Sequence, residues 1–240
     1  VTWINPATGD VVEVPDGIDP GWAYNPGNTD RAAQLAKLAM DKLVTLPAEV
    51  GAAAVAELAF AFPQVERELG GWLEGVARGV TEDAGWYPRG ERRSGCLDGY
   101  VIGWLAANAN RAPETAAITI ADAEIMHLVR TAKRERGNAL SVDDVRRLPS
   151  LLREPDAVYW DNGGQGEQKR DEGLIYVWLT PGRGAGKLIV RINFKDKMAS
   201  PEGKGRVRIT TNAIRSGRLD IDPQNDLHET KGYIKIKGNL

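Results

Sequence analysis

From Gly186 to Lys195 the chain alternates with the period of a β-strand: Leu188, Val190, Ile192 and Phe194 fall on one face, Ile189, Arg191, Asn193 and Lys195 on the other. Arg206 to Thr211 repeats the pattern, with Val207 and Ile209 opposed by Arg206, Arg208 and Thr210. So does Gly232 to Lys237, with Ile234 and Ile236 opposed by Tyr233, Lys235 and Lys237. Strands with one apolar face and one basic, amide-bearing face predict an antiparallel sheet whose open face meets an anion. The charge balance agrees. Residues 162–240 hold 15 basic and 9 acidic side chains, whereas residues 1–30 hold five acids and no Lys or Arg. A polyanionic partner is therefore expected for the C-terminal third only.

The rest of the chain supplies helices and turns. With 42% hydrophobic residues in 240, it can bury a substantial core. The lone cysteine, Cys96, excludes a disulfide framework and a cysteine-built zinc site. No apolar run approaches the ~20 residues that span a bilayer, so no membrane partner is expected, and no signal-peptide pattern opens the sequence. Residues 1–30 are dense in Pro, Gly and Asn, with a short hairpin expected between Val1–Ile4 and Val11–Val14. Helices are expected from Thr29 or Asp30 to Leu43, from Pro47 to Phe60, after Pro63, from Asp122 to Arg136, and from Ser141, with Asp144 as its capping partner, to about Arg153. Tyr100 to Leu105 reads as a strand or buried segment. Ile118 to Ile120 and Ala157 to Trp160 read as strands, and Leu174 to Leu179 as a central strand buried on both faces. The stretches 161–173, 182–186 and 197–205 read as loops and hairpin turns. Gly182 to Gly186 lacks the Gly-Lys-Ser/Thr ending of a nucleotide-binding loop.

Two stretches carry a resemblance. Val14-Pro-Asp-Gly-Ile-Asp-Pro-Gly-Trp-Ala-Tyr-Asn-Pro-Gly27 resembles a segment of Mu-type phage head morphogenesis (minor head) proteins. Ile118 to Ile120, Met126-His-Leu-Val-Arg-Thr-Ala-Lys133, Leu148 to Asp161, Lys187 to Lys195 and Thr211 to Arg215 are together similar to the barnase/EndoU/colicin/RelE-like toxin nucleases appended to such proteins. The resemblance implies an α+β fold, with an N-terminal helical region followed by helices packed on one face of a roughly four-stranded antiparallel sheet. It divides the chain into a turn-rich minor-head-type segment (1–30), a helical region (31–90) and a ribonuclease-fold domain (91–240); the breaks at Asp83-Ala-Gly85 and Tyr87-Pro-Arg-Gly90 set the boundary between about Gly79 and Arg93. It also implies cofactor-free and metal-independent RNA cleavage, in which a base takes the 2′-hydroxyl proton, that oxygen attacks phosphorus, and an acid protonates the leaving oxygen.

The candidate catalytic residues are His127, Arg191, Lys195, Thr211 and His228. Asn193, Arg206, Arg208, Asn212 and Arg215 are the candidate substrate-binding residues. A histidine titrates near neutrality and can carry the proton, although a lone helical or loop histidine is otherwise a surface residue. Arg191 can grip two phosphate oxygens at once, or form a cross-strand salt bridge to a residue such as Asp161. Thr211 can donate to phosphate or cap a turn. No glutamate base stands out in the sheet, which sets the chain apart from the barnase branch. The expected partners are RNA, including tRNA, phage head or portal components, and an immunity protein. The expected location is the virion head and then the host cytoplasm. Two other readings stay open: a non-catalytic head module whose basic face holds packaged DNA or a partner, and a polymorphic toxin neutralised by an acidic immunity protein.

Overall fold

The computed structural model describes residues 2–4, 11–13, 29–59, 62–164, 171–180, 184–199 and 205–240. The resemblance-bearing stretch 14–27, and parts of the loops expected at 161–173, 182–186 and 197–205, lie outside those residues. Strands β1 (Thr2–Ile4) and β2 (Val11–Glu13) pair antiparallel, as their alternation predicts. Helices α1 (Thr29–Lys42), α2 (Ala48–Glu57) and α3 (Phe62–Thr81) follow, with Pro47 at the N-cap of α2.

Seven strands form the main sheet: β3 (Glu91–Cys96), β4 (Ala117–Ala121), β5 (Ala157–Asp161), β6 (Gly173–Thr180), β7 (Gly184–Ala199), β8 (Arg206–Ile221) and β9 (Tyr233–Gly238). Their spatial order is β3-β4-β8-β7-β6-β5-β9. The α+β class is as expected, but the sheet is neither four-stranded nor purely antiparallel. The buried segment Ile118-Thr119 lies parallel to Asn212-Ala213 of β8, and β3 is added outside it. Glu91-Arg-Arg-Ser-Gly-Cys has no strand signature of its own. It becomes a strand because the exposed edge of β4 offers a ladder of unpaired backbone groups. Conversely, the expected strand or buried segment around Tyr100 is helix α4 (Gly99–Asn108), started by the Asp98 side chain, which accepts from the Val101 N–H.

Alternation along β5 and β6 sorts side chains into two cores. Val158, Trp160, Leu174, Tyr176 and Trp178 join the larger cluster with the helices, while Ala157, Tyr159, Ile175 and Val177 form a second cluster with Ile221 and Leu227. The apolar run at Leu174 is thus a central strand, buried on both sides up to Trp178. The face away from the helices is not bare: Leu227, between α9 (Pro223–Asp226) and β9, covers part of it, with Leu240 packed alongside. The larger cluster runs from Ala36, Leu43 and Leu73 through Ile118 and Ile125 to Leu188 and Ile236, so one core crosses the boundary expected between Gly79 and Arg93. Each fully buried aliphatic side chain in it contributes about 1.5–3 kcal/mol. Among the described residues, no single helix is long and apolar enough to cross a membrane.

Helices α5 (Asp122–Val129), α6 (Thr131–Arg134), α7 (Val142–Arg146) and α8 (Leu148–Arg153) connect β4 to β5. The helix expected to run from Asp122 to Arg136 is broken at Arg130, whose ψ of 150° is extended. The Ser141–Asp144 capping box is complete: the Ser141 hydroxyl accepts from the Asp144 N–H, and the Asp144 carboxylate accepts from the Ser141 N–H. α5 lies close on β8 because residue 217 is glycine. A Cβ there would stand 2.8 Å from Leu188 Cδ2 and 3.1 Å from Leu128 Cδ2.

Candidate active site

Strand β7 outruns its neighbour. Its ladder with β6 ends at the Leu174–Val190 pair, while its pairing with β8 continues to Ala199. Two irregularities shape the middle of this pair. At the first, Ile189 pairs with Ser216 and Val190 with Ile214, leaving Arg215 unopposed. At the second, Arg191 pairs with Ala213 and Phe194 with Thr211, so Ile192 and Asn193 face Asn212. Asn193 takes a left-handed φ of 53°, which asparagine tolerates better than most residues. Such bulges re-aim side chains.

Arg215 is re-aimed onto Glu124. Its guanidinium Nη1 stands 2.6 Å from Glu124 Oε1, and the same guanidinium lies over the Phe194 ring, 4.6 Å from its centroid. Glu124 sits in the first turn of α5, and its side chain is only 15% exposed. Burial pushes its carboxyl above the ordinary range; Arg215 and Arg191 pull it down, and Asp196 pushes it up. His127, one helical turn on, is half-buried and shares that side of the helix. Burial lowers its pKa, and the positive charges of Lys133, Arg130 and Arg215 lower it further. Lys133 is itself buried, with its Nζ donating to the Gly217 carbonyl at 2.6 Å. Its pKa falls to about 8, through burial first and then through Arg130 and Arg218.

Phe194 also lines an open polar cleft of about 640 Å³ at the end of the sheet, beside the part of β7 that β6 does not reach. Trp160, Asn162 and the segment Arg191–Lys195 form one wall; Arg111, Asp171 and Glu172 enter from the connectors. Arg191 pairs with Asp171, not with Asp161, and Arg111 Nη2 stands 2.6 Å from Glu172 Oε2. Asp161 is buried and accepts from the Gly163 N–H. The concave site is therefore an end-of-sheet cleft bordered by the uncovered edge of β7, rather than the open sheet face anticipated from the alternation.

The candidate residues do not all converge. Arg215 pairs with Glu124, His127 stands one helical turn from that glutamate, and Arg191 and Lys195 line the cleft. Three of the others are engaged with the backbone. The Asn193 side chain accepts from the Glu114 N–H and donates to the Ala112 carbonyl. Asn212, fully buried, donates to the carbonyls of Thr115 and Ala117 and accepts from the Asn193 N–H. The Thr211 hydroxyl, also fully buried, donates to the Ala117 carbonyl. All three fasten β4 and its preceding connector to the β7–β8 pair. Arg208 is exposed opposite Lys197 on the ribbon that β7 and β8 form past the sheet, and Arg206 pairs with Ala199 there. His228 is exposed and caps the turn Glu229–Lys231, its ring nitrogen accepting from the Thr230 N–H. Glu124, Phe194 and Arg111 are the residues that sequence reasoning passed over. The one legible trace of Glu124 is its spacing of three from His127 on a helix.

Comparison with known proteins finds no matching family model, no matching curated protein and no matching solved structure.

Proposed function

We propose that the chain is a metal-independent endoribonuclease whose reacting groups are Glu124, His127 and Arg215, with Arg191 nearby. The observation that carries this reading is the half-buried carboxylate of Glu124, held against the Arg215 guanidinium one helical turn from His127. In this scheme Glu124 accepts the proton of a ribose 2′-hydroxyl, whose oxygen then attacks the adjacent phosphorus. Arg215 offsets the charge that grows on the phosphorane oxygens, with the positive field of Arg191 beside it. The bond from phosphorus to the 5′-oxygen breaks, and protonated His127 gives its proton to that oxygen, leaving a 2′,3′-cyclic phosphate. DNA lacks the 2′-hydroxyl and is not a substrate in this chemistry. The resemblance adds the setting: carriage in or on a phage head, action on host RNA such as tRNA after delivery, and an immunity protein with an acidic surface for the basic cleft.

The test is cleavage of RNA in EDTA by the wild-type chain, with product ends analysed for cyclic phosphate, beside Glu124→Gln. Intact RNA across structured and unstructured substrates, from protein with native circular dichroism, overturns the reading. The projecting ribbon favours a second reading, a head module that binds packaged DNA or a partner without cutting. Its Lys195–Thr210 and Lys197–Arg208 pairs put three basic groups on one side. Salt-sensitive DNA binding with no strand scission would select it.

A further inference from the structure

The cleft beside β7 contains three cations, Arg111, Arg191 and Lys195, and two carboxylates that are consecutive in the chain, Asp171 and Glu172. Each carboxylate takes one guanidinium: Asp171 that of Arg191, Glu172 that of Arg111. Among the described residues Lys195 makes no ion pair, and the described charges that line the cleft leave an excess of one positive charge. A carboxylate on a guanidinium occupies the position that two phosphate oxygens would take, because both are paired acceptors matched to the same donor fork. These pairs are not buried. The Asp171 side chain is 64% exposed and that of Glu172 is 42% exposed, and ion pairs in that environment are weak and readily exchanged. The cleft is joined to the Glu124–Arg215 pair by Phe194, whose ring lines the one and carries the guanidinium of the other.

We infer that Arg111, Arg191 and Lys195 form a subsite for a backbone phosphate of a nucleic-acid strand, flanking the phosphate handled at Glu124–Arg215, and that Asp171 and Glu172 occupy this subsite as a built-in competitor. The inference rests on the ribonuclease reading for what lies next door, but the subsite binds anions whether or not the neighbouring groups cut. A strand entering the cleft exchanges two weak intramolecular pairs for contacts with its own phosphate, and the carboxylates move out to solvent. The acid pair thereby sets a threshold: an isolated phosphate competes poorly, and a strand that also engages its neighbouring phosphates competes well.

The test uses the whole chain and a fluorescent deoxyribonucleotide pentamer, which lacks the 2′-hydroxyl and stays intact, with inorganic pyrophosphate as the free-anion probe. Asp171→Asn with Glu172→Gln should bind both probes about tenfold more tightly at low salt, and adding Arg111→Gln together with Arg191→Gln, which removes both unmasked guanidinia, should abolish that gain. Neutralising the exposed neighbours Glu82 and Asp83, beyond α3, should change binding less than about twofold, the size of a general charge effect. Unchanged or weaker binding by the double variant overturns the proposal. So does a gain that survives loss of both guanidinia, or one matched by the Glu82/Asp83 variant. A gain for pyrophosphate alone overturns the nucleic-acid assignment. If the double variant does not fold, Arg111→Gln in the wild-type background decides: about threefold weaker pentamer binding supports the subsite, and equal binding overturns it. Failure of the ribonuclease reading shows separately, as RNA left intact by wild-type protein that still binds the pentamer.

Discussion

The Glu124 carboxylate and the Arg215 guanidinium meet at 2.6 Å, one from the first turn of a helix and the other from a strand bulge. The arginine is held from two sides, by the carboxylate and by the Phe194 ring beneath it. A guanidinium fixed this way is pre-oriented to act on a third group, whereas a free arginine would first have to be ordered.

Replacing Glu124 with Gln keeps the side-chain shape and removes the base. RNA cleavage should fall about 10²- to 10⁴-fold, the usual contribution of general base catalysis. The urea midpoint should hardly move, because an amide in that place still accepts from Arg215. A large midpoint shift would make Glu124 a structural residue.

The pH profile follows from the two opposed shifts. Burial raises Glu124 and lowers His127. Cleavage should rise with pH as Glu124 deprotonates, and fall as His127 loses its proton below its ordinary pKa of about 6.5. The result is a narrow bell with its maximum on the acid side of neutrality. Single-turnover rates between pH 4 and pH 8 would check it, and a maximum above neutrality would remove both groups from the proton transfers.

Lys133 ties α6 to β8 through the Gly217 carbonyl. Its pKa is depressed from 10.5 to about 8. Between those values the unfolded chain still holds the proton that the folded chain has given up, so stability rises with pH there. A shift of this size amounts to about 3 kcal/mol over the full window. Denaturant unfolding at pH 8 and pH 9.5 should show a rise in the wild-type chain that Lys133→Met lacks.

Asn212 makes its hydrogen bonds in complete burial, to the carbonyls of Thr115 and Ala117 and from the Asn193 N–H. Asn212→Ala should destabilise the fold by about 2–4 kcal/mol, since it removes three hydrogen bonds to the backbone and leaves the Ala117 carbonyl with the Thr211 hydroxyl. Urea titration monitored by tryptophan fluorescence measures this. A stable variant that has lost only RNA affinity would instead make Asn212 a substrate-binding residue.

On the ribbon, Arg208 is exposed, and Lys195 is exposed at the mouth of the cleft. Substituting either with Ala should leave stability within about 0.5 kcal/mol. Nucleic-acid affinity should weaken at all sequences, and the slope of log affinity against log salt should drop by about one for each phosphate that is no longer neutralised. Titrations at several salt concentrations provide the check.

Alternation made the C-terminal strands legible, and the doubly apolar run at Leu174 was legible as a central strand because both its faces pack. Proline, glycine and capping residues placed helices α1 to α3 and the Ser141 cap. Glu91–Cys96 was not legible, since an added strand takes its ladder from a neighbour and needs no pattern of its own. Among the candidate site residues, Arg191, Lys195, Arg215 and His127 were visible by residue type. Asn193, Asn212 and Thr211 were visible too, but polar side chains on a strand look alike whether they meet a ligand or a buried carbonyl.

Local pattern was enough to set where the alternating C-terminal strands and the capped helices fall, and that the basic groups concentrate in the last third, because period, caps and charge are local properties. Tertiary structure alone decided that α5 lies on β8 through Gly217, that two bulges turn Arg215 and Phe194 toward each other, and that Glu124 is carried to them. It also decided that Asp171 and Glu172 reach the cations of the cleft. Those choices depend on pairing register and helix packing between segments distant in the chain, and no local pattern encodes them.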